Sequence, residues 1–194
     1  MGHAEQPIGT RCGQPPSGEP RGGQPSISAA GVQPEKDPGT WPPETLAELQ
    51  RVLDHSRTAA GRAVRDTFDD PNRQMTAAEF VTFWNESRMK AMATVGKRGA
   101  PHIAPVHAEF VNGRLRSTIY ENAVRRRDLL QQPEVALTTW GPHGAAAIVY
   151  GRAREVPGSL RETRPGKTGG PRRTVALDIT VTRIYAMKGR ETAP

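Results

Sequence analysis

The chain has 194 residues, 35% of them hydrophobic and 5% aromatic, with a formal net charge of +7; one domain with a core fits that length, but so lean an apolar content leaves part of the chain outside it. Nowhere do ~18 apolar residues run together, which excludes a membrane-spanning helix, and Cys12 is the single cysteine, which excludes disulfides and cysteine-rich metal sites within one chain. No Gly-x-Ser-x-Gly, Walker loop, His-Glu-x-x-His or dinucleotide fingerprint occurs, so hydrolase and nucleoside-triphosphatase readings have no support.

Residues 1–40 hold 7 of the 18 prolines and 8 of the 20 glycines with scarcely an apolar side chain. That composition cannot bury enough surface to offset chain entropy, so a disordered tail is expected there. It has neither the apolar run of a secretory signal nor a twin arginine, which makes the cytoplasm the default compartment. The tail contributes three basic and four acidic residues, leaving 24 basic against 16 acidic in residues 41–194. A basic domain suits nucleic acid, an anionic cofactor or mere solubility. Without interleaved aromatics or a recognition motif, an anionic cofactor is the more economical account.

From Pro42-Pro43 onward Leu46, Leu49 and Leu53 fall at helical spacing, and Ala60 and Val64 extend the stripe to about residue 66. This helix and a linker occupy residues 41–74, ahead of the main domain at 75–190. Asp69-Asp70-Pro71-Asn72 breaks the chain, and Thr76 with Glu79 forms a capping-box signature for a helix presenting Phe80, Val81 and Trp84 to a core. Residues 89–95 read as a strand, turned by Lys97-Arg98-Gly99-Ala100. Residues 101–111 alternate: Ala104, Val106, Ala108 and Phe110 face one way, and Ile103, Pro105, His107 and Glu109 the other. Asn112-Gly113 then favours a tight hairpin into a returning strand at 114–120. A short helix at 123–130 places Arg125, Arg126 and Arg127 in its first turns, where free N–H groups and the dipole already favour an anion. Strands follow at 135–140, at 145–156, which is rich in small residues, and at 174–187, where Val175, Leu177, Ile179 and Val181 alternate inward. Between the last two, residues 158–173 hold four arginines, a lysine and four glycines. They are either a solvated loop or a lid closing on an anionic group. The sum is a mainly β (β+α) architecture: a closed or partly closed barrel of about six antiparallel strands with two or three flanking helices.

The succession of a KRGAP turn, an HIAPV strand, an NG turn, a strand, an NAVRRRDL helix and a QQPEVAL strand resembles the pyridoxamine 5′-phosphate oxidase-like split β-barrel proteins over about residues 75–188. The resemblance implies a homodimer with a flavin, usually FMN, at the subunit interface; relatives use a deazaflavin coenzyme or haem. It implies that the helix opened by the Thr76–Glu79 capping box packs over the barrel mouth. It also implies that Arg125 contacts the flavin phosphate, a contact that a forked guanidinium suits, with Arg126 a neighbour that can join it. Ala104, Pro105, Val106 and His107 would run along the isoalloxazine ring, and Ser117 and Thr118 would bond the ribityl chain or the phosphate. Trp140 would stack on the ring or make a dimer contact. The oxidase proper has an arginine at the position of Ala104 and a lysine at that of Glu109, so the resemblance stops short of the vitamin-pathway oxidase.

His107 and Glu109 project to one side as a pair that could hold substrate, or as an exposed strand pair, and His102 at a strand start reads as surface. The reading is a flavin-dependent oxidoreductase acting on an unspecified small-molecule substrate, without a bound metal and with no catalytic residue assigned, because the redox chemistry belongs to the cofactor. The alternatives are a non-catalytic flavin-, deazaflavin- or haem-binding storage or sensor protein and, third, a nucleic-acid-binding scaffold.

Overall fold

The computed structural model describes residues 33–163 and 172–190; the expectations for residues 1–32 and for 164–171 lie outside the described residues. The strands are β1 (Lys90–Val95), β2 (Pro101–Val106), β3 (Ala108–Val111), β4 (Arg114–Tyr120), β5 (Glu134–Trp140), β6 (Ala146–Glu155), β7 (Arg161–Thr163) and β8 (Arg172–Met187). They form one antiparallel sheet in the order β2-β1-β5-β6-β8-β4-β3, with β7 added on β8. The six alternating segments of the sequence are all present; the count rises because one is divided and β7 is new.

The division brings the two ends of the sheet onto one segment. β2 and β3 are consecutive halves of one extended segment and are also the two ends of the sheet. The first half pairs with β1, ending at Val106 opposite Lys90, and the second pairs with β4, beginning at Ala108 opposite Ser117. His107 belongs to neither ladder. Pro101 and Pro105 lack the N–H that a second neighbour would need, which suits β2 to an edge. A seam therefore opens between β2 and the end of β4, whose residues Thr118–Tyr120 pair only with β8.

Alternation along each strand sends Met92, Phe110, Leu115, Leu137, Val149, Leu177 and Ile184 into the core. Asn112 and Gly113 both have positive φ, 47° and 76°, as the type I′ hairpin requires. Gly151 sits at a register shift between β6 and β8, where a Cβ would lie 2.6 Å from the Thr180 carbonyl oxygen; only glycine allows that approach.

The amphipathic stripe expected to reach residue 66 in one helix is instead split into α1 (Pro43–Thr58) and α2 (Arg62–Phe68). Gly61, with an extended backbone (φ −66°, ψ 159°), separates them and begins the second. Buried Ser56 accepts from the Ile184 amide at 3.0 Å and so pins α1 to β8. The helix α3 (Ala77–Glu86) starts at the expected capping box, with Glu79 Oε2 accepting from the Thr76 amide at 2.8 Å. It plugs one end of the barrel: Trp84 donates from Nε1 to the Ala108 carbonyl at 3.0 Å, and Phe80 meets Phe110 edge-on at 5.4 Å. Asn85 bonds both the amide and the carbonyl of Phe110, at 2.8 and 2.9 Å, mimicking a neighbouring strand along the edge of β3. Two 3₁₀ turns, Pro34–Lys36 and Pro38–Thr40, complete that cover. Composition places these residues in the unpacked tail, yet the Asn112 amide donates to Glu35 and Lys36 pairs with Glu109 at 2.6 Å. An edge strand with free donors makes even a polar turn worth ordering.

Candidate functional site

The seam is the candidate site. An open cleft of about 580 Å³ lies over it, lined by Pro105, Val106 and His107 of the dividing segment, Thr118, Ile119 and Tyr120 of β4, and Met89, Arg125, Thr163, Arg172 and Thr174 around the rim. That volume is within the range of small-molecule sites, roughly 300–1,000 Å³. Period-2 geometry builds its walls. Pro105 and His107 are exposed while Val106 between them is buried, and Thr118 and Tyr120 are exposed while Ile119 is buried.

The charged end comes from α4 (Val124–Leu129), a six-residue helix carrying three consecutive arginines that the fold sends to three environments. Arg125 lines the cleft, and its Nε is buried without a hydrogen-bond partner. Leaving such a donor unpaired costs about 1–3 kcal/mol, so the position calls for an acceptor. Arg126 is already satisfied: it grips Glu155 with Nε and Nη2, at 2.5 and 3.1 Å, and lies 3.9 Å from Glu121, and these partners raise its pKa. The third, Arg127, faces a different cleft, beside His102.

Of the residues expected at a cofactor, Pro105, Val106, His107, Thr118 and Arg125 come together. Four others stand apart from them. Ala104 lies opposite buried Met92, on the core side of β2. Ser117 is buried and donates to the His107 carbonyl at 2.7 Å, supporting the segment just where it changes partners. Trp140, at the end of β5, is 68% exposed on the outer face of the sheet. The fourth is Arg126, held by its carboxylates. His107 and Glu109 do not form a working pair, since Glu109 binds Lys36.

The sequence reading missed Arg172 as a cleft residue, although the basic run at 158–173 that contains it hinted at an anionic partner. Its guanidinium lies 5.3 Å from the Tyr120 ring centroid and donates to the Tyr120 hydroxyl at 3.1 Å, adding a second cation at the rim. Tyr120 was missed because period 2 shows that it faces outward and says nothing of what it faces.

The forked, unpaired donor, the hydroxyl of Thr118 and the apolar Pro105–Val106 wall suit a ligand with a phosphate at one end and a flat apolar body. Among the described residues no helix is long and apolar enough to cross a membrane, and no cluster of three or more metal-ligating side chains occurs.

No curated relative matches the sequence. Among solved structures, a conserved hypothetical protein of Mycobacterium tuberculosis, Rv2991, superposes with a TM-score of 0.51 at 16% identity, over 64% of this chain and 95% of that one. A FAD-binding protein of Mesorhizobium loti gives 0.47 at 16% identity, over 60% and 96% of the two chains. HutZ, the haem storage protein of Vibrio cholerae, gives 0.44 at 11% identity, over 57% and 94%. The first of these likenesses shows the same fold. Residues 76–188, more than half of the chain, match the family model described as pyridoxamine 5′-phosphate oxidase, and the chain belongs to that split-barrel family.

Proposed function

We propose that this protein is a flavin-dependent oxidoreductase that acts on a small-molecule substrate as a homodimer, with FMN as the cofactor and a deazaflavin coenzyme as the alternative. The observation that carries the reading is Arg125 Nε, buried and unpaired at the wall of the seam cleft. A terminal phosphate would satisfy it by a charge-assisted bond. A flavin bound there would supply the redox chemistry; the chain's residues bind, orient and shield it. In this reading Thr118 bonds the ribityl chain or the phosphate, and the backbone of Pro105–His107 lies along the ring. Ser117 holds that backbone in place through the His107 carbonyl. Arg126 acts from behind, fixing α4 to Glu155 so that Arg125 points into the cleft.

The dimer reading rests on the outer face of the sheet. Residues opposite one another in the ladders share a face, which groups Ile103 and Pro105 on β2, Ala91 and Ala93 on β1, Thr138 and Trp140 on β5, and Ile148 on β6. This face is mostly apolar or small, with Ile103 72% exposed. Pro105 belongs both to this face and to the cleft, so a second copy seated there would roof the cofactor.

The test is the absorption spectrum of the purified protein, with mass analysis of whatever it releases on denaturation. A yellow protein releasing one flavin per chain, whose bound reduced form is reoxidised by an added acceptor, is the expected result. A flavin held without turnover would leave a storage protein, and a colourless preparation that binds no added flavin would overturn the reading.

A further inference from the structure

A second cleft, of about 360 Å³, lies on another side of α4, lined by Gly96, Lys97, Arg98 and Ala100 of the β1–β2 turn, by His102 of β2, and by Val124, Arg127, Asp128 and Gln131. Its organising group is Asp128, 5% exposed. One carboxylate oxygen, Oδ2, accepts from Thr94 Oγ1 at 2.7 Å and from His102 Nδ1 at 2.8 Å. Burial raises the pKa of this carboxyl, but the hydrogen bonds from His102 and Thr94 and the charges of His102 and Arg127 outweigh burial and lower it. An ionised carboxylate only accepts, so the proton of the shared bond sits on Nδ1. His102 is thereby clamped by a helix and two strands with its other nitrogen, Nε2, left for the cleft; its side chain is 41% exposed. Gly96 leaves room for the ring, since a Cβ there would lie 3.0 Å from His102 Cε1.

The other charges of the cleft are all positive. Among the described residues no carboxylate lies within 4.0 Å of Lys97, Arg98 or Arg127, whereas Arg126 of the same helix has two partners. Lys97, Arg98 and Arg127 bring three fixed positive charges to one hollow, and the single carboxylate there, Asp128, attracts Arg127 but is also hydrogen-bonded to His102 and Thr94, so positive charge remains in excess and an anion would relieve it. Guanidinium groups favour oxyanions with several acceptor oxygens.

We propose that this cleft is a second anion site, binding the phosphoryl group of a small molecule between the Arg98 and Arg127 guanidiniums and His102 Nε2, which donates in the imidazolium form. It is separate from the seam cleft: the two share no lining residue, and Arg125 and Arg127 are about 200° apart around α4. The assignment stands whether or not the seam cleft takes a flavin.

The test uses inorganic phosphate on the full chain at low ionic strength, reading the His102 Cε1 proton resonance by NMR. A saturable shift is expected at millimolar phosphate or below, weakened about tenfold in Arg127→Gln and in His102→Gln when Arg127 is followed instead, as loss of one charge-assisted hydrogen bond predicts. Arg127 is exposed, so its variant reports on binding even if His102→Gln disturbs the fold around Asp128. Arg125→Met should leave the His102 response intact, which separates this site from the seam. No shift of His102, a shift equalled by the same concentration of chloride, or one unchanged in Arg127→Gln would overturn the proposal.

Discussion

Replacing Arg125 by methionine separates a ligand contact from a structural one, because the two roles predict opposite signs in the ligand-free protein. Arg125 Nε is buried without a partner, and a stranded donor costs about 1–3 kcal/mol. Methionine keeps much of the side-chain length and packing but has no donor, so the apoprotein should be as stable as the parent or gain about 1 kcal/mol. For a chain of this size that is a rise in Tm of about 2–4 °C. FMN binding should weaken, because a hydrogen bond between charged groups contributes roughly 1.5–3 kcal/mol, equivalent to about 10- to 150-fold in Kd. Calorimetry of the apoprotein in phosphate-free buffer gives the first quantity, and flavin fluorescence titration the second. An apoprotein that melts several degrees lower while binding FMN as tightly as the parent would refute the reasoning, making Arg125 part of the scaffold.

Four further outcomes follow from other parts of the molecule. Trp140→Glu combined with Ile103→Asp should turn the proposed dimer into a monomer and weaken flavin binding, read by light scattering and titration; a variant that stays dimeric places the interface elsewhere. Burial lowers the pKa of Lys90 to about 8, the Glu109 charge opposing, while an unfolded lysine titrates near ~10.4. The unfolded chain therefore holds more protons between those values, and stability should climb with pH across that window by up to ~3 kcal/mol. Lys90→Met should abolish the climb and raise Tm at pH 7; an unchanged profile in denaturant titrations at pH 7, 9 and 10.5 would show that the ammonium is not desolvated. Thr76→Ala should cost about 1 kcal/mol by removing the cap of α3, a fall of about 2–4 °C in Tm. The Lys188 and Thr76 hydrogen bonds hold the Glu79 carboxyl below its usual pKa. Their contribution is complete above the ordinary carboxylate range and is lost as pH falls through the lowered value, so Glu79→Gln should flatten the acid limb of the stability curve.

Where the sequence reading succeeded, the cause was local. The alternation in residues 101–111 needed only the pleat of a strand, Asn112-Gly113 only the tolerance of two residues for positive φ, and Thr76 with Glu79 only the unpaired amides at a helix start. The same signals were mute about α1, where an apolar stripe continued past Gly61 although the helix did not. Periodicity records which side of a segment is apolar, and two short helices leaning on one core share that record with one long helix.

The candidate site divides along the same line. From the sequence alone come the strand that forms its wall, the turn that returns it and the arginine-rich helix that closes it, because each depends on residues within about ten positions of one another. Only the tertiary structure decided that residues 101–111 change partners at His107, that Arg125 rather than Arg126 is left unpaired beside the seam, and that His102 is bound to a buried Asp128 26 residues later in the chain. Successive helical residues point about 100° apart, so the rotation of α4 against the barrel, set by packing distant in sequence, determines which guanidinium meets a carboxylate and which meets a cleft.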